Sequence, residues 1–399
     1  MGRFMLNWIR GFDTSSIVEA FVSITARKAG VESRSTEKSD LGIAMKKIFG
    51  VVIGAAVMAM TASNAMAQSS VSDDQGQANN LVTTSVTPTV SSTTVSIIST
   101  GISNAISLPS PSIGGVGPIS KADDGRMLFN TRALAGEGEA AGNAPPKMGV
   151  WVQMANTWVD GSDPGGEFEG DAQNITAGVD YKVTDNAVVG VAVGYELTDI
   201  DTTFNNGTFE GNGITVTPYV GVNLNKTWSL SALVSYGAIE YDTSSTTAGT
   251  TGSFDATRLM GSAAVEGNIY RDRLRISPKV SVMYLSEEQD AYTDSAGTAV
   301  NSSTIDLGRA AAGATLGYQF DAVEPYVRAM FEYDFSKEDP VNLGGGQFSS
   351  DDKFGVNASL GANFGLGSNL SGNIEGNAST IGRENLDVYT ISGRLRYQF

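Results

Sequence analysis

Asp387 to Phe399, DVYTISGRLRYQF, alternates without a slip and ends on an aromatic ring. Tyr389, Ile391, Gly393, Leu395, Tyr397 and Phe399 form one set; Val388, Thr390, Ser392, Arg394, Arg396 and Gln398 form the other. Side chains of a strand point to opposite faces with period two, so one face here is apolar and the other carries guanidinium groups. A strand long enough to cross a bilayer at a tilt, oily outside and charged inside, is the unit of an outer-membrane barrel.

The same texture recurs upstream. Phe354, Val356, Ala358, Leu360, Ala362 and Phe364 alternate with small polar residues, and Val327, Ala329, Phe331, Tyr333 and Phe335 alternate with Arg328, Met330, Glu332 and Asp334. From Lys147 onward, twelve such segments are predicted: 148–160, 169–183, 187–201, 209–223, 227–241, 255–269, 273–286, 302–319, 323–336, 352–365, 369–382 and 386–399. They exceed the usual 5–6 residues of a soluble strand. Short connections alternate with longer ones around 161–168, 202–208, 242–254, 287–301, 337–351 and 383–385. That matches barrels with short periplasmic turns and longer external loops. The expected fold is a closed antiparallel transmembrane β-barrel of about twelve strands.

Composition agrees. Hydrophobic residues are 41% and charged residues 17%, with 47 glycines, as expected where alternate residues face water and turns are tight. The absence of His and Cys excludes Ser-His-Asp chemistry, Cys-His pairs and His-ligated metal sites. We therefore expect neither enzyme activity nor a cofactor.

Met45-Lys46-Lys47, the apolar run Ile48 to Met60 and the small-residue close at Ala65-Met66-Ala67 have the order of a secretory signal, with cleavage expected after Ala67. Residues 1–44 are read as an over-extended start or a signal extension. Residues 68–146 are poor in aromatics and broken by Pro and Gly, so most are expected to stay mobile or extended. Val95, Ile98, Ile102 and Ala105 or Ile106 are spaced for a helix near 93–107, favoured over a lone strand because a closed barrel offers no edge.

Gly149 to Gln153 (GVWVQ), Ile175 to Tyr181 (ITAGVDY), Val183 to Tyr195 (VTDNAVVGVAVGY) and Pro218 to Val222 (PYVGV) together resemble the translocator domain of autotransporters, the type V secretion family. The resemblance covers about residues 147–399. It implies a twelve-stranded barrel in the bacterial outer membrane, a helix through its pore leading to an exported passenger, and insertion by an assembly machinery that reads the last strand, here Tyr397 and Phe399. The departure is the passenger, since 68–94 contains no repeat and is too short for a stacked solenoid. Sec export, outer-membrane lipid and lipopolysaccharide complete the expected partners, with a monomeric barrel.

Arg273, Arg275, Lys279, Arg328, Arg394 and Arg396, facing Glu266, Glu332 and Asp334, are the predicted lumen charges. Buried charges must be paired or wetted, so they are read mainly as structural pairs. Asp160, Asp163, Glu167, Glu169, Glu287, Glu288, Asp290, Asp294, Glu338, Asp339, Asp351 and Asp352 are assigned to external loops. Residues 1–146 carry eleven basic and eleven acidic side chains, so the formal charge of −17 belongs to the barrel. Nucleic acid is excluded as a partner by that sign. Asn79-Asn80 is a weak signal for self-cleavage by asparagine cyclisation. Trp151, Tyr181, Tyr195, Trp228, Tyr236, Tyr284, Tyr318, Tyr397 and Phe399 are assigned to interfacial girdles. The leading function is anchoring and display of the N-terminal segment; a small porin-like channel and an adhesin with acidic loops remain open.

Overall fold

The computed structural model describes residues 74–107, 119–121, 127–129, 147–163, 165–320, 323–337, 352–365 and 369–399. The expected signal at 45–67, its cleavage after Ala67 and the extension 1–44 lie outside the described residues. The period-two segments form twelve spanning strands: β1 (Met148–Gly161), β2 (Phe168–Thr184), β3 (Ala187–Thr202), β4 (Gly207–Asn223), β5 (Trp228–Ser245) and β6 (Thr250–Gly267). β7 (Leu274–Gln289), β8 (Ser303–Tyr318), β9 (Val323–Lys337), β10 (Phe354–Gly365), β11 (Leu370–Ile381) and β12 (Leu386–Gln398) complete the wall. Each strand pairs antiparallel with the next. β12 returns to pair with β1, from Leu386 opposite Gly161 to Gln398 opposite Gly149, which closes the sheet. Closure leaves no row of unpaired amides to meet lipid. Among the described residues no helix is long and apolar enough to cross a membrane; the strands do that.

On the lower wall the alternation reads outward apolar, as in Tyr389, Ile391, Leu395, Val191, Val193 and Ile214, all exposed. Toward the long-loop end of β1–β7 the polarity inverts. Val159, Phe168, Ile200, Phe209, Ile239, Tyr241, Phe254 and Ala256 point inward and are buried. Their neighbours Asp160, Glu169, Asp199, Asp201, Glu210, Glu240, Asp242, Asp255 and Glu288 are exposed on the outside. A wall with water outside and an apolar core inside is the pattern of a soluble barrel, so this half rises above the lipid as a collar.

The core of that collar is a helix, α1 (Asp74–Ser107), 34 residues long with Pro88 inside it. It starts at Asp74 rather than near 93, so the residues ahead of 93 that were expected to be mobile or extended are helical from Asp74 on. Ser, Thr and Val have modest helix propensity, and local sequence argues weakly for helix here. The closed sheet offers no edge for another strand, so the segment satisfies its backbone internally. Its hydroxyls bond back one turn: Thr83 to the Asn79 carbonyl at 2.7 Å, Thr89 to Ser85 at 2.8 Å and Thr100 to Ser96 at 2.9 Å.

Two further differences concern connections. The long loop expected at 242–254 is mostly strand, because β5 and β6 run on to Ser245 and from Thr250, paired residue for residue. The loop after β7 contains a small hairpin, Tyr292–Thr293 with Ala299–Val300. Another short pair, Ile119–Lys121 with Met127–Phe129, lies between α1 and β1.

Candidate functional site

The site is the lumen, where α1 meets the wall. Near the helix start, the Asn79 side-chain amide donates to the Tyr292 hydroxyl at 2.7 Å and its oxygen accepts from Thr243 at 2.8 Å. Both partners belong to the long-loop end. Leu81, Val82, Val86 and Val90 pack there among Phe209, Tyr241 and Phe254. Tyr241 lies 4.9 Å from Phe209 and 5.3 Å from Phe254, which stacks on Tyr292 at 5.2 Å. At the other end of the helix, Asn223, the last residue of β4, donates to the Ile106 carbonyl at 3.2 Å. α1 thus enters at the long loops and leaves at the short turns, with Ile98, Ile102 and Ile106 packed on the way.

Halfway along, the buried Arg258 of β6 holds two carboxylates. Its Nη1 donates to Glu196 at 2.8 Å, its Nε to Glu287 at 2.7 Å and its Nη2 to the Tyr241 hydroxyl at 3.0 Å. Thr87 of α1 donates to Glu287 at 3.2 Å, which ties the helix to this cluster. A guanidinium suits the task because its rigid fork serves several oxygens at once.

The seam between β12 and β1 carries a second cluster. Arg396 makes a bidentate pair with Asp180 of β2 at 2.6 and 2.7 Å, passing over β1 at Gly149. A Cβ at Gly149 would lie 2.1 Å from the Arg396 Nη2, so the glycine makes room for this reach. Trp151 donates from Nε1 to the Tyr219 hydroxyl at 2.9 Å, and Tyr219 donates to Asp180 at 3.2 Å. Arg394 lies 5.3 Å over the Trp151 ring and donates to the carbonyl of Ile97 in α1. The final strand therefore holds β1, β2 and the helix together.

Around β7–β11 the charges pair in sequence. Arg275 meets Glu324 at 2.6 Å, Lys279 meets Glu266 at 4.0 Å and Arg328 meets Glu375 at 3.3 Å. Arg309 binds Asp334 at 2.6 Å and Glu332 at 3.1 Å, while Arg383 shares the same acids. Ser103 of α1 donates to Glu266 at 2.9 Å, another hold on the helix.

Of the predicted lumen residues, Arg275, Lys279, Arg328, Arg394, Arg396, Glu266, Glu332 and Asp334 enter these pairs and contacts. Arg273 does not: it precedes β7 in the turn and is exposed, because the bend at Asp272, with φ +52°, breaks the alternation there. Glu287, assigned to a loop, is fully buried on Arg258 since β7 runs to Gln289. Asp163 and Asp294 are also buried rather than free at the surface. Asp294 accepts from the Ala296 and Thr298 amides at 2.9 and 2.8 Å, a turn-stabilising role. Glu338, Asp339 and Asp351 lie outside the described residues. Trp151 is a lumen residue, 1% exposed, so it does not belong to a girdle, whereas Tyr284 has the parity of the exposed Val280 and Val282. Trp158, on the strand of Trp151, faces outward instead.

Arg258, Glu196, Asp180, Arg309, Glu324, Glu375 and Arg383 were missed. Arg258 stands in a row with Phe254, Ala256 and Met260, all buried; the lumen face is apolar there, so alternation gave it no polar signature. Asn79-Asn80 sits inside α1. Cyclisation needs the Asn79 amide nitrogen on its own carbonyl carbon, but Tyr292 holds the amide and Thr83 holds the carbonyl. Nothing in this geometry favours cleavage.

The family model described as the autotransporter beta-domain matches residues 150–377. Among solved structures, the translocator domain of NalP from Neisseria meningitidis is 19% identical with a TM-score of 0.55, covering 63% of this chain and 89% of that one. The transport unit of AIDA-I from Escherichia coli is 13% identical with a TM-score of 0.55, covering 68% and 95%. The beta domain of Bordetella BrkA is 16% identical with a TM-score of 0.51, covering 63% and 100%. No curated protein matches the chain.

Proposed function

Since the chain belongs to the autotransporter beta-domain family, and so is a barrel of the bacterial outer membrane, we propose that it anchors and displays the segment N-terminal to α1 at the cell surface. One observation carries this reading: α1 runs the length of the lumen, its Asn79 among the long loops and its Ile106 at the short turns. A chain that leaves the helix at its N-terminal side leaves on the loop side. The role is non-enzymatic, an arrangement supported by buried charges that are engaged with each other and with the helix. Sec export and insertion by the barrel-assembly machinery belong to the same proposal. Tyr397 and Phe399 are exposed on the outer face, with ring centroids 5.8 Å apart, where an assembly factor can read them.

The chain has no native Cys, so single cysteines report topology directly. A cysteine inserted just before Asp74 should react with a membrane-impermeant maleimide on intact cells. One at Asp272, in a short turn, should react only after the envelope is opened. Labelling of both positions only in opened cells would end the display reading.

A further inference from the structure

We infer that the lumen beside α1 holds a binding site for a small uncharged sugar of one or two rings, recognised through its hydroxyl groups. α1 is off centre. Ile98 and Ile102 pack with Trp151, Ala192 and Leu233, and a cavity of about 180 Å³ remains between the helix and the β7–β12 wall. That is about six times the share of one liquid water, roughly 30 Å³, and it matches the bulk of a hexose. The cavity reaches the long-loop end at Lys337, Arg383 and Leu386. Its lining on α1 stops at Thr100, one turn short of the hydrogen bond from Ser103 to Glu266.

The lining leaves polar atoms open. Gln153 Oε1, Glu332 Oε2 and Arg383 Nη2 have no hydrogen-bond partner among the described residues. All three side chains line the cavity and are more than nine-tenths buried. Glu332 Oε2 and Arg383 Nη2 lie 3.6 Å apart, too far for a good hydrogen bond. Two of these atoms are acceptors and one is a donor. A carboxylate or phosphate would leave both acceptors bare, and an ammonium would leave the donor bare. A hydroxyl donates and accepts at once, and a sugar carries several on one frame.

The charges of the same wall are matched. Lys279, Arg309, Arg328 and Arg383 pair with Glu266, Glu332, Asp334 and Glu375, four of each sign. Lys337, at the rim, donates to the Asp352 carbonyl at 3.5 Å. A charged ligand would have to break one of these pairs, which strands a buried charge. Met283, Leu307 and Met330 also line the cavity, apolar ground for the C–H faces of a ring. The spacing agrees. Arg309, paired with Glu332, donates to Ser92, and Arg394, opposite Gln153 in the sheet, donates to the Ile97 carbonyl. Ser92 and Ile97 are about 7.5 Å apart along the helix axis, within the span of a disaccharide.

The test is equilibrium dialysis of the full chain, in a sugar-free detergent, against radiolabelled glucose, N-acetylglucosamine, maltose and lactose. At least one should bind with a millimolar or tighter Kd. Glucuronic acid and glucosamine, a carboxylate and an ammonium, should bind at least about tenfold more weakly than it. Gln153→Met keeps the side chain's size and removes the bare oxygen, so it should weaken binding about threefold to tenfold. Ser96→Trp, at an exposed position of α1 within the cavity, should abolish binding. Unboiled gel migration confirms that each variant retains its barrel. Retention of none of the four sugars, equal affinity for the charged ones, or unaltered binding in a folded Ser96→Trp barrel would each overturn the proposal. For a sugar that binds, beads carrying it on a spacer assign its source. Capture of the beads by intact cells identifies the end of a surface glycan, and binding in solution alone identifies a free sugar. The dialysis is independent of membrane sidedness, so it fails or succeeds apart from the cysteine labelling ahead of Asp74.

Discussion

Arg396 is held by a bidentate pair with Asp180 and is itself 3% exposed. Removing one member of a buried ion pair strands the other charge and costs about 3–5 kcal/mol. Arg396→Gln is therefore expected to lower the temperature at which the folded band is lost from an unboiled gel. Adding Asp180→Asn should restore part of it, a recovery that simple loss of packing would not give. Arg258 is the more severe case, because its removal leaves Glu196 and Glu287 facing each other. Arg258→Met should destabilise by at least as much, and Glu287→Gln in the same chain should lessen the damage. Asp163, in the loop after β1, differs in sign. Burial raises its carboxyl above the ordinary value, opposed by the hydrogen bond from Asn385 at 2.5 Å and reinforced by Glu167. A raised folded value means the folded state binds the proton more tightly. This contribution is complete below the unfolded pKa and is lost as pH rises through the folded one. Asp163→Asn is accordingly expected to stabilise the barrel at pH 7, with no gain over wild type at pH 3, read by denaturant titration at the two pH values.

At the scale of elements, α1 is a helix by placement more than by propensity. Pro88 removes one backbone bond from its interior, and proline there is about 3 kcal/mol less favourable than alanine. It lines the cavity beside α1, on the same ridge as Thr84. Pro88→Ala should raise the unfolding temperature of the complete barrel and slow proteolysis of α1. If protease susceptibility does not change, the helix is held by the wall alone. The strands show the converse dependence. Tyr389, Ile391, Leu395 and Tyr397 lie outward because alternation and lipid agree, and this much was legible in the sequence. Trp151 and Trp158 share β1 yet face opposite ways. Their parity was readable, but not which parity met lipid, since an indole is as welcome beside Tyr219 and Arg394 as at an interface. Arg258 and Glu196 were hidden for a related reason: where the helix fills the lumen, inward positions are apolar and a charge among them has no periodic marker.

Across the whole molecule, many of the acidic side chains behind the formal charge of −17 stand on the outer wall of β1–β7 as well as in the loops. Glu169 stands opposite Asp201, Asp199 opposite Glu210, and Glu210 opposite Asp242. Like charges directly opposed in a sheet are unfavourable, and they are tolerated in a collar that projects into water. Assembly is expected to depend on the far end of the chain. Phe399→Asp should reduce the folded, membrane-inserted fraction several-fold while leaving the amount synthesised unchanged, measured by fractionation and unboiled gels. An equal yield of inserted barrel would remove the terminal aromatic from the assembly role.

Strand number, strand spans to within a few residues and the outward apolar face follow from the sequence by itself. Each of these rests on period two, and period two is a local property: a residue needs only its neighbours to declare which side it is on. The partner of each lumen charge, the full reach of α1 and the inverted collar are decided by tertiary structure. Arg396 finds Asp180 only when β12 closes on β1. The segment from Asp74 becomes helix only inside a wall with no free edge. What an inward face should be, polar or apolar, depends on whether helix or water lies opposite.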